Sequence, residues 1–304
     1  MNILFRTDSS STIGTGHIMR DLVLAKQYKG ATITFAVQEL QGNINHKIIE
    51  AGHSINILNS RDIEELDALI KKLNIDLLII DHYEIDYTYE KQLKTQNPQL
   101  KILSFDDTYK KHYCNILLNH NIYADASKYR DLVPTWCELR CGEEFTLLRD
   151  EFYEAKKNIL KLKTQNSKLN IFIAMGGTDI ANLNPKIIEI LEDFNNIHVD
   201  MVTTKANNKL KELQLYIKDK PWVSLHVNAT NIAELMAKSN LAIITPSVTM
   251  NEVWYMEIPF IAIKVADNQR YMYKYLIECQ YNVYENFDSG MLSAQIIKIQ
   301  KGLV

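Results

Sequence analysis

The chain has 304 residues, 46% hydrophobic and 23% charged, an ordinary globular composition with enough material for two cores. A formal charge of -3 excludes a global pull on nucleic acid or acidic lipid, so any bound anion has to be held by local geometry. No run approaches the roughly 18 uninterrupted apolar residues of a membrane span, and a core-type strand from residue 2 leaves no room for a signal peptide. The expectation is a cytoplasmic protein whose partner is a small molecule, with neither nucleic acid nor membrane involved.

The first predicted strand, Asn2–Arg6 ("NILFR"), runs into "TDSSSTIGTGH" and then the amphipathic segment "HIMRDLVLAKQY". Further strands are predicted at Ala31–Val37, Ser54–Leu58, Ile75–Asp81, Leu100–Phe105 and Asn115–Leu118, with "RDIEELDALIKKL" as a helix between them. "IDLLIID" is continuous rather than alternating, as a strand covered on both faces should be. Around Ala155 to Leu169 the text turns basic and polar without glycine or aromatics, which places a boundary between domains 1–155 and 156–304. The rhythm then restarts: "LNIFIAM", a helix near Asn182 to Phe194, "IHVDMVT", a helix near Asn207 to Lys218, "WVSLHV", a helix near Asn231 to Lys238, "LAIIT", a helix from Thr249, and "PFIAIKV". The fold class is therefore α/β, two doubly wound Rossmann-like domains facing a cleft, with ligands expected at the carboxyl ends of their strands.

Gly14 and Gly16 fall in the loop after the first strand, where glycine permits positive φ and a close approach of backbone N–H groups to a ligand. His17 then occupies the first helical turn, whose partial positive charge is expected to depress an imidazole pKa and suit it to general-base work near pH 7. Arg20, one turn on, shares that side and could hold a phosphate or orient Asp8. The bland alternative for His17 is a capping or solvent-facing residue. A dinucleotide fingerprint is excluded because Met19 stands where its third glycine belongs, and no GK[ST] follows.

In the second half, Gly176, Gly177, Thr178 and Asp179 form a matching loop after a strand. Ser247, Val248 and Thr249 bring N–H groups and hydroxyls to a helix start, which suits a phosphate. Glu252 could accept the two hydroxyls of a ribose or act as a capping carboxylate. Asp267, Asn268 and Gln269 offer donors and acceptors for sugar hydroxyls or acetamido groups, with helix capping as the ordinary alternative. Cys114, Cys137, Cys141 and Cys279 form no CxxC pair and no His/Cys set completes a metal site, so buried thiols and no metal are expected. The adjacent Asp106 and Asp107 lack the spacer of a DxD cation site; sugar binding, loop bracing and a solvated turn stay open for them.

Taken together, "TxxE" at Thr249 to Glu252 and the following "DNQ" resemble the UDP-sugar site of GT-B-like nucleotide-sugar enzymes. "LFRTDSSSTIGTGHIMRDLVLAKQY", "LLIIDHY", "ILSFDD", "RCG" and "MGGTD" more closely resemble the UDP-sugar hydrolases of pseudaminic acid biosynthesis. That resemblance implies a hydrolase without metal or other cofactor that releases UDP by attack of water at the anomeric carbon, with inversion. By position, His17 would activate the water and Tyr83 would face the sugar or diphosphate, with weaker claims for Asp81 and His82. Gly176, Gly177 and Thr178 would line the diphosphate, Ser247 and Thr249 bind phosphate oxygens, Glu252 the ribose, Asn268 and Gln269 the sugar, and backbone near Val227 and Asn231 to Ile232 the uracil. The C-terminal "NFDSGMLSAQIIKIQKGLV" reads as an added helix packing back on the N-terminal domain. A monomer is expected, since no long apolar seam appears. Two rival readings remain: a glycosyltransferase with a UDP-sugar donor, and a non-catalytic UDP-sugar-binding protein.

Overall fold

Side-chain alternation builds the first sheet. In β1 (Asn2–Thr7) Ile3 and Phe5 enter one apolar layer with Ile33, Phe35, Leu77 and Ile79, while Leu4 enters the opposite layer with Ala36, Leu78 and Ile80. A strand buried on both faces needs apolar residues at both parities, which these segments supply. With β2 (Thr32–Val37), β3 (Ser54–Ile57), β4 (Leu77–Asp81), β5 (Lys101–Phe105), β6 (Ile116–Asn119) and β7 (Glu138–Cys141), β1 forms a seven-stranded sheet in the order β3-β2-β1-β4-β5-β6-β7. Every pairing in it is parallel. Helices α1 (Gly16–Ala25), α2 (His46–Glu50), α3 (Ile63–Lys72) and α4 (Tyr87–Gln96) lie on the connections. Because β2 and β4 flank β1, the chain departs in opposite directions from β1 and β4, and a crevice opens beyond their carboxyl ends.

The computed structural model describes residues 1–159 and 168–301 and divides into two units, the first ending at Leu147 and the second starting at Leu148. The second carries α5 (Asp150–Lys157), then β8 (Leu169–Ala174), α6 (Asn184–Leu191), β9 (Ile197–Thr203), α7 (Leu210–Ile217), β10 (Val223–Val227), α8 (Ile232–Ala237), β11 (Leu241–Ile244), α9 (Val248–Tyr255), β12 (Phe260–Ile263), α10 (Arg270–Glu278), β13 (Val283–Tyr284) and α11 (Ser289–Gln300). Its parallel sheet runs β10-β9-β8-β11-β12-β13, the same strand order as the first six strands of the other unit. A second switch point therefore lies between β8 and β11.

Predicted strands and helices recur with boundaries moved by a few residues. The division between units falls before residue 155 because α5 buries Phe152 and Ala155 and packs against α8 of the second unit. Most of the basic stretch expected to link the domains, 160–167, lies outside the described residues, as do 302–304. The terminal helix α11 does not follow the expected course: Leu292 and Ile296 join Ile187, Ile188 and Leu191 in the core of the second unit. Of the cysteines, only Cys114 is fully buried, and Cys279 is exposed. Among the described residues no helix is long and apolar enough to cross a membrane.

One polar network is sunk into the first core. Glu90, fully buried, accepts from Ser104 Oγ at 2.6 Å, His112 Nδ1 at 2.7 Å and the Tyr113 N–H at 2.5 Å. Asp106 accepts from the Thr108 and Lys110 N–H groups and from Tyr129 Oη at 2.7 Å, bracing the loop after β5; the solvated-turn reading of this residue fails. Burial alone would lower the His112 pKa, but the Asp106 and Glu90 carboxylates outweigh it and lift the imidazole to about 10. A histidine raised in the folded state stabilises fully below its unfolded value of about 6.5, and that stabilisation is lost as pH climbs through the folded value. Urea unfolding should accordingly show stability falling by on the order of 3–5 kcal/mol between about pH 6.5 and 10, with His112→Gln flattening that slope.

Candidate active site

The loop after β1 is a turn held by its own side chains. Ser10 Oγ accepts from the N–H groups of Thr12 at 3.2 Å and Ile13 at 3.0 Å, and the Gly14 N–H donates to the Ser10 carbonyl at 2.8 Å. Gly14 sits at φ +87, a conformation that strains any residue with a Cβ. This turn delivers the chain into α1 with His17 as its second residue.

The register of the sheet places Thr7 of β1 beside Asp81, the last residue of β4. Across that seam His17 Nδ1 lies 2.6 Å from Asp81 Oδ1. A carboxylate only accepts, so Nδ1 carries a proton, and in the neutral ring the lone pair is then on Nε2. Arg20 grips the same carboxylate: Nε donates to Asp81 Oδ2 at 2.5 Å and Nη2 donates to Oδ1. Burial would raise the Asp81 carboxyl, yet the Arg20 guanidinium and His17 beside it hold it well below the usual carboxylate range. Asp21, also buried, is pushed the other way by desolvation and by the Asp81 charge. One ionised carboxylate is thus kept under the imidazole.

Arg20 is 6% exposed. Its Nη1 donates to His120 Nε2 at 3.5 Å and approaches Asp107 Oδ2 at 3.7 Å, and its guanidinium carbon lies 4.9 Å from the Phe105 ring centroid. Burial and the nearby Arg20 charge push the His120 pKa down to about 3, so it accepts as a neutral ring. Asp107 in turn accepts from Tyr83 Oη at 2.7 Å, and the Tyr83 ring meets His17 edge-on with centroids 5.0 Å apart. Arg20 does not orient Asp8 as expected: it is turned inward as the clamp on Asp81, and Asp8 is held by Arg6 at 2.9 Å instead. His82 is fixed at both nitrogens, Nε2 donating to Asp8 at 3.1 Å and Nδ1 accepting from the Glu84 N–H at 3.2 Å, which removes it as a base.

His17, Asp81 and Tyr83 line a cavity of about 470 Å³ with Asp8, Ser10 to Ile13, Gln38, Leu40, Gln41, Arg61, His82 and Glu84. That volume is within the range of small-molecule sites, roughly 300–1,000 Å³. All of these residues belong to the first unit.

In the second unit, Gly176 has φ +82 and a Cβ on Gly177 would come within 2.9 Å of Thr204 Cγ2. The Gly177 carbonyl accepts from Thr203 Oγ1 and Thr204 Oγ1. Thr178 is half-buried, and Asp179 uses its carboxylate on the N–H groups of Leu183 and Asn184. Ser247 precedes α9 with no side-chain capping bond; its hydroxyl meets Thr245 Oγ1 at 3.0 Å. Val248 and Thr249 open that helix. Glu252 therefore stands beyond the capping-box position, and it accepts from Arg149 Nη2 at 3.1 Å. The Gln269 side-chain oxygen accepts from the Val265 N–H at 2.8 Å, while Asn268 is exposed. Among the described residues no group of three or more His, Cys, Asp or Glu side chains could hold a metal ion.

The sequence reading underrated Asp81, Asp107 and His120. For Asp81 a signal existed: a carboxylate ends the otherwise apolar run "LLIID", and a charge at the carboxyl end of a central strand lies where ligands bind. Asp107 and His120 meet Arg20 only through tertiary folding.

No family model matches the chain. It is 44% identical to the UDP-2,4-diacetamido-2,4,6-trideoxy-β-L-altropyranose hydrolase of Campylobacter jejuni over 93% of this chain and 98% of that protein. Among solved structures, MurG of Acinetobacter baumannii superposes with a TM-score of 0.68 at 12% identity, covering 100% of this chain and 92% of that one. Anabaena HepE in complex with UDP-glucose gives 0.61 at 11% identity, covering 99% and 90%. These last two likenesses are of fold, the GT-B pairing of Rossmann-like units.

Removing one partner of a buried ion pair strands the other charge, at about 3–5 kcal/mol. Asp81→Asn should lower the unfolding free energy in urea by that amount, and the double change Asp81→Leu with Arg20→Met should recover more than half of it.

Proposed function

The chain belongs to the family of the Campylobacter jejuni UDP-2,4-diacetamido-2,4,6-trideoxy-β-L-altropyranose hydrolase, and on that premise we propose that it hydrolyses this UDP-sugar to the free 2,4-diacetamido-2,4,6-trideoxy-L-altrose and UDP. The observation that carries the reading is the His17–Asp81 pair: an imidazole with Nδ1 bound to a buried carboxylate at 2.6 Å, on the wall of a sugar-sized cavity. In the proposed step a water oxygen attacks the anomeric carbon from the face opposite UDP. Its proton passes to His17 Nε2, and the C1–O bond breaks with its electron pair leaving on UDP, so configuration inverts. Asp81 holds the ring in the productive tautomer and stabilises the imidazolium that forms, and Tyr83, edge-on to His17, orients the pyranose.

UDP is assigned to the second unit. Gly176, Gly177 and Thr178 offer a close-approach loop, and Val248 and Thr249 bring N–H groups to the start of α9 beside the Ser247 hydroxyl, which is shared with Thr245 Oγ1 and is not used in capping. Glu252, steadied by Arg149, would accept the ribose hydroxyls. Asn268 is the better candidate of its pair for the ligand, since Gln269 is engaged with its own loop. In this reading the protein is a cytoplasmic monomer whose partner is the nucleotide sugar, without nucleic acid or membrane.

Incubation with the UDP-sugar alone in ¹⁸O water should release free sugar labelled at C1, with unlabelled UDP. Release only after addition of an acceptor alcohol would make the protein a glycosyltransferase, and binding without turnover would make it a sensor. His17→Ala and His17→Asn should lower kcat by about 10²- to 10⁴-fold, with UDP affinity by calorimetry changed by less than about threefold, because the nucleotide is held elsewhere.

A further inference from the structure

Much of the cavity beside His17 is walled by groups the hydrolytic step does not use. Two of the loops that line it, after β1 and after β2, are tied together. The Ser11 N–H donates to the Gln41 carbonyl at 3.0 Å and the Ile44 N–H to Ser9 Oγ at 3.0 Å. Gly42, at φ +77, approaches so closely that a Cβ there would lie 3.0 Å from the Ser11 nitrogen. At the start of the second wall the Gln38 backbone is pinned on both sides, its N–H donating to Asp8 Oδ1 at 2.6 Å and its carbonyl accepting from Asn45 Nδ2 at 3.2 Å. The walls are preorganised.

Electrically this pocket is closed. Arg61, the one permanently cationic residue among those lining it, is paired with Glu84. Asp8 is matched by Arg6 and His82, and Asp81 by Arg20 and His17. No uncompensated cation is left to draw a diphosphate, so a neutral ligand fits best. Against this background two primary amides stand out. The side chains of Gln38 and Gln41 line the cavity without a hydrogen-bond partner among the described residues. Beside them are two apolar side chains, Leu40 and Ile13, the latter 41% exposed. A glutamine amide offers a donor and an acceptor together without a net charge, which complements an acetamido group at both its C=O and its N–H.

We infer that this cavity is the pyranose pocket, that Gln38 and Gln41 bind the acetamido groups of the sugar, and that Ile13 and Leu40 receive the acetyl methyls and the 6-deoxy carbon. The assignment rests on the hydrolase reading for the identity of the sugar and makes the first unit the reader of its substituents. Specificity then follows from desolvation. A hydroxyl in place of an acetamido group leaves a glutamine amide unpaired, and a 6-hydroxyl meets an apolar wall.

The test compares three substrates: the diacetamido UDP-sugar, its 4-hydroxy analogue and its 6-hydroxy analogue. Gln38→Leu and Gln41→Leu should each lose about tenfold in kcat/KM on the first, mainly through KM. One of the two should lose less than about twofold on the 4-hydroxy analogue, whose partner group is already missing. Ile13→Ala with Leu40→Ala should narrow the preference for the 6-deoxy over the 6-hydroxy substrate by about tenfold. Losses equal on all three substrates, or no loss, overturn the assignment. Saturation-transfer NMR on the free diacetamido sugar reads the pocket without turnover: strong transfer to the acetyl methyls should appear with the unaltered protein and vanish in the Gln38→Leu, Gln41→Leu double variant. Persistence of that signal overturns the pocket. A protein that binds the sugar in this way but releases none from UDP overturns the hydrolase reading alone.

Discussion

A single buried carboxylate, Asp81, organises the polar centre of the first unit. It ends β4, pairs in register with the end of β1, and receives donors from both His17 and Arg20, which stand one turn apart on α1. Such a centre does little for stability, because desolvating the charges offsets most of their attraction. What it supplies is definition: ring orientation, the tautomer, and a fixed negative charge beneath a ring that gains a proton in the proposed step. Asp107, His120 and Phe105 matter through the same centre, since each restrains the guanidinium that restrains Asp81.

The two units share a strand order and differ in what they place beyond their strands. In the first, every charge lining the cavity has a buried or paired counter-charge, and neutral amides and apolar groups are left facing it. In the second, the loops after β8 and β11 offer glycines, threonines and the start of a helix, with a hydroxyl not used in capping. The physical contrast matches the division of labour proposed for the ligand, a neutral pyranose in one unit and an anionic nucleotide in the other. Repetition of an architecture thus need not repeat its electrostatics.

Much of this was legible from residue order. The central strands announced themselves because double burial demands uninterrupted apolar runs such as "LLIID" and "LNIFIA". Polar edge elements did not: β7 is "ELRC" with no fully buried residue, and α4 is "YTYEKQLKTQ" with only Glu90 and Leu93 buried. His17 stood out in the sequence because glycines and a helix start surround it locally, and the structure puts it on the cavity wall. The partner of Arg20 was not legible, since Asp81 stands 61 residues away and an arginine on a helix face looks the same whether it meets solvent or a buried carboxylate. Gln38 and Gln41 carried no signal, because glutamine in a loop is unremarkable until a cavity is seen beside it.

The seam between β1 and β4 also ties competence to biosynthesis. His17 and Asp81 are separated by 64 positions, and they meet only once two strands far apart in the chain have zipped together side by side. A nascent polypeptide that has emerged no further than α3 holds the imidazole but nothing to align it. On the proposed reading the base is therefore aligned only after the longest-range strand pairing of the first sheet has closed, and turnover waits further on the unit that would hold UDP, which is made later in the chain.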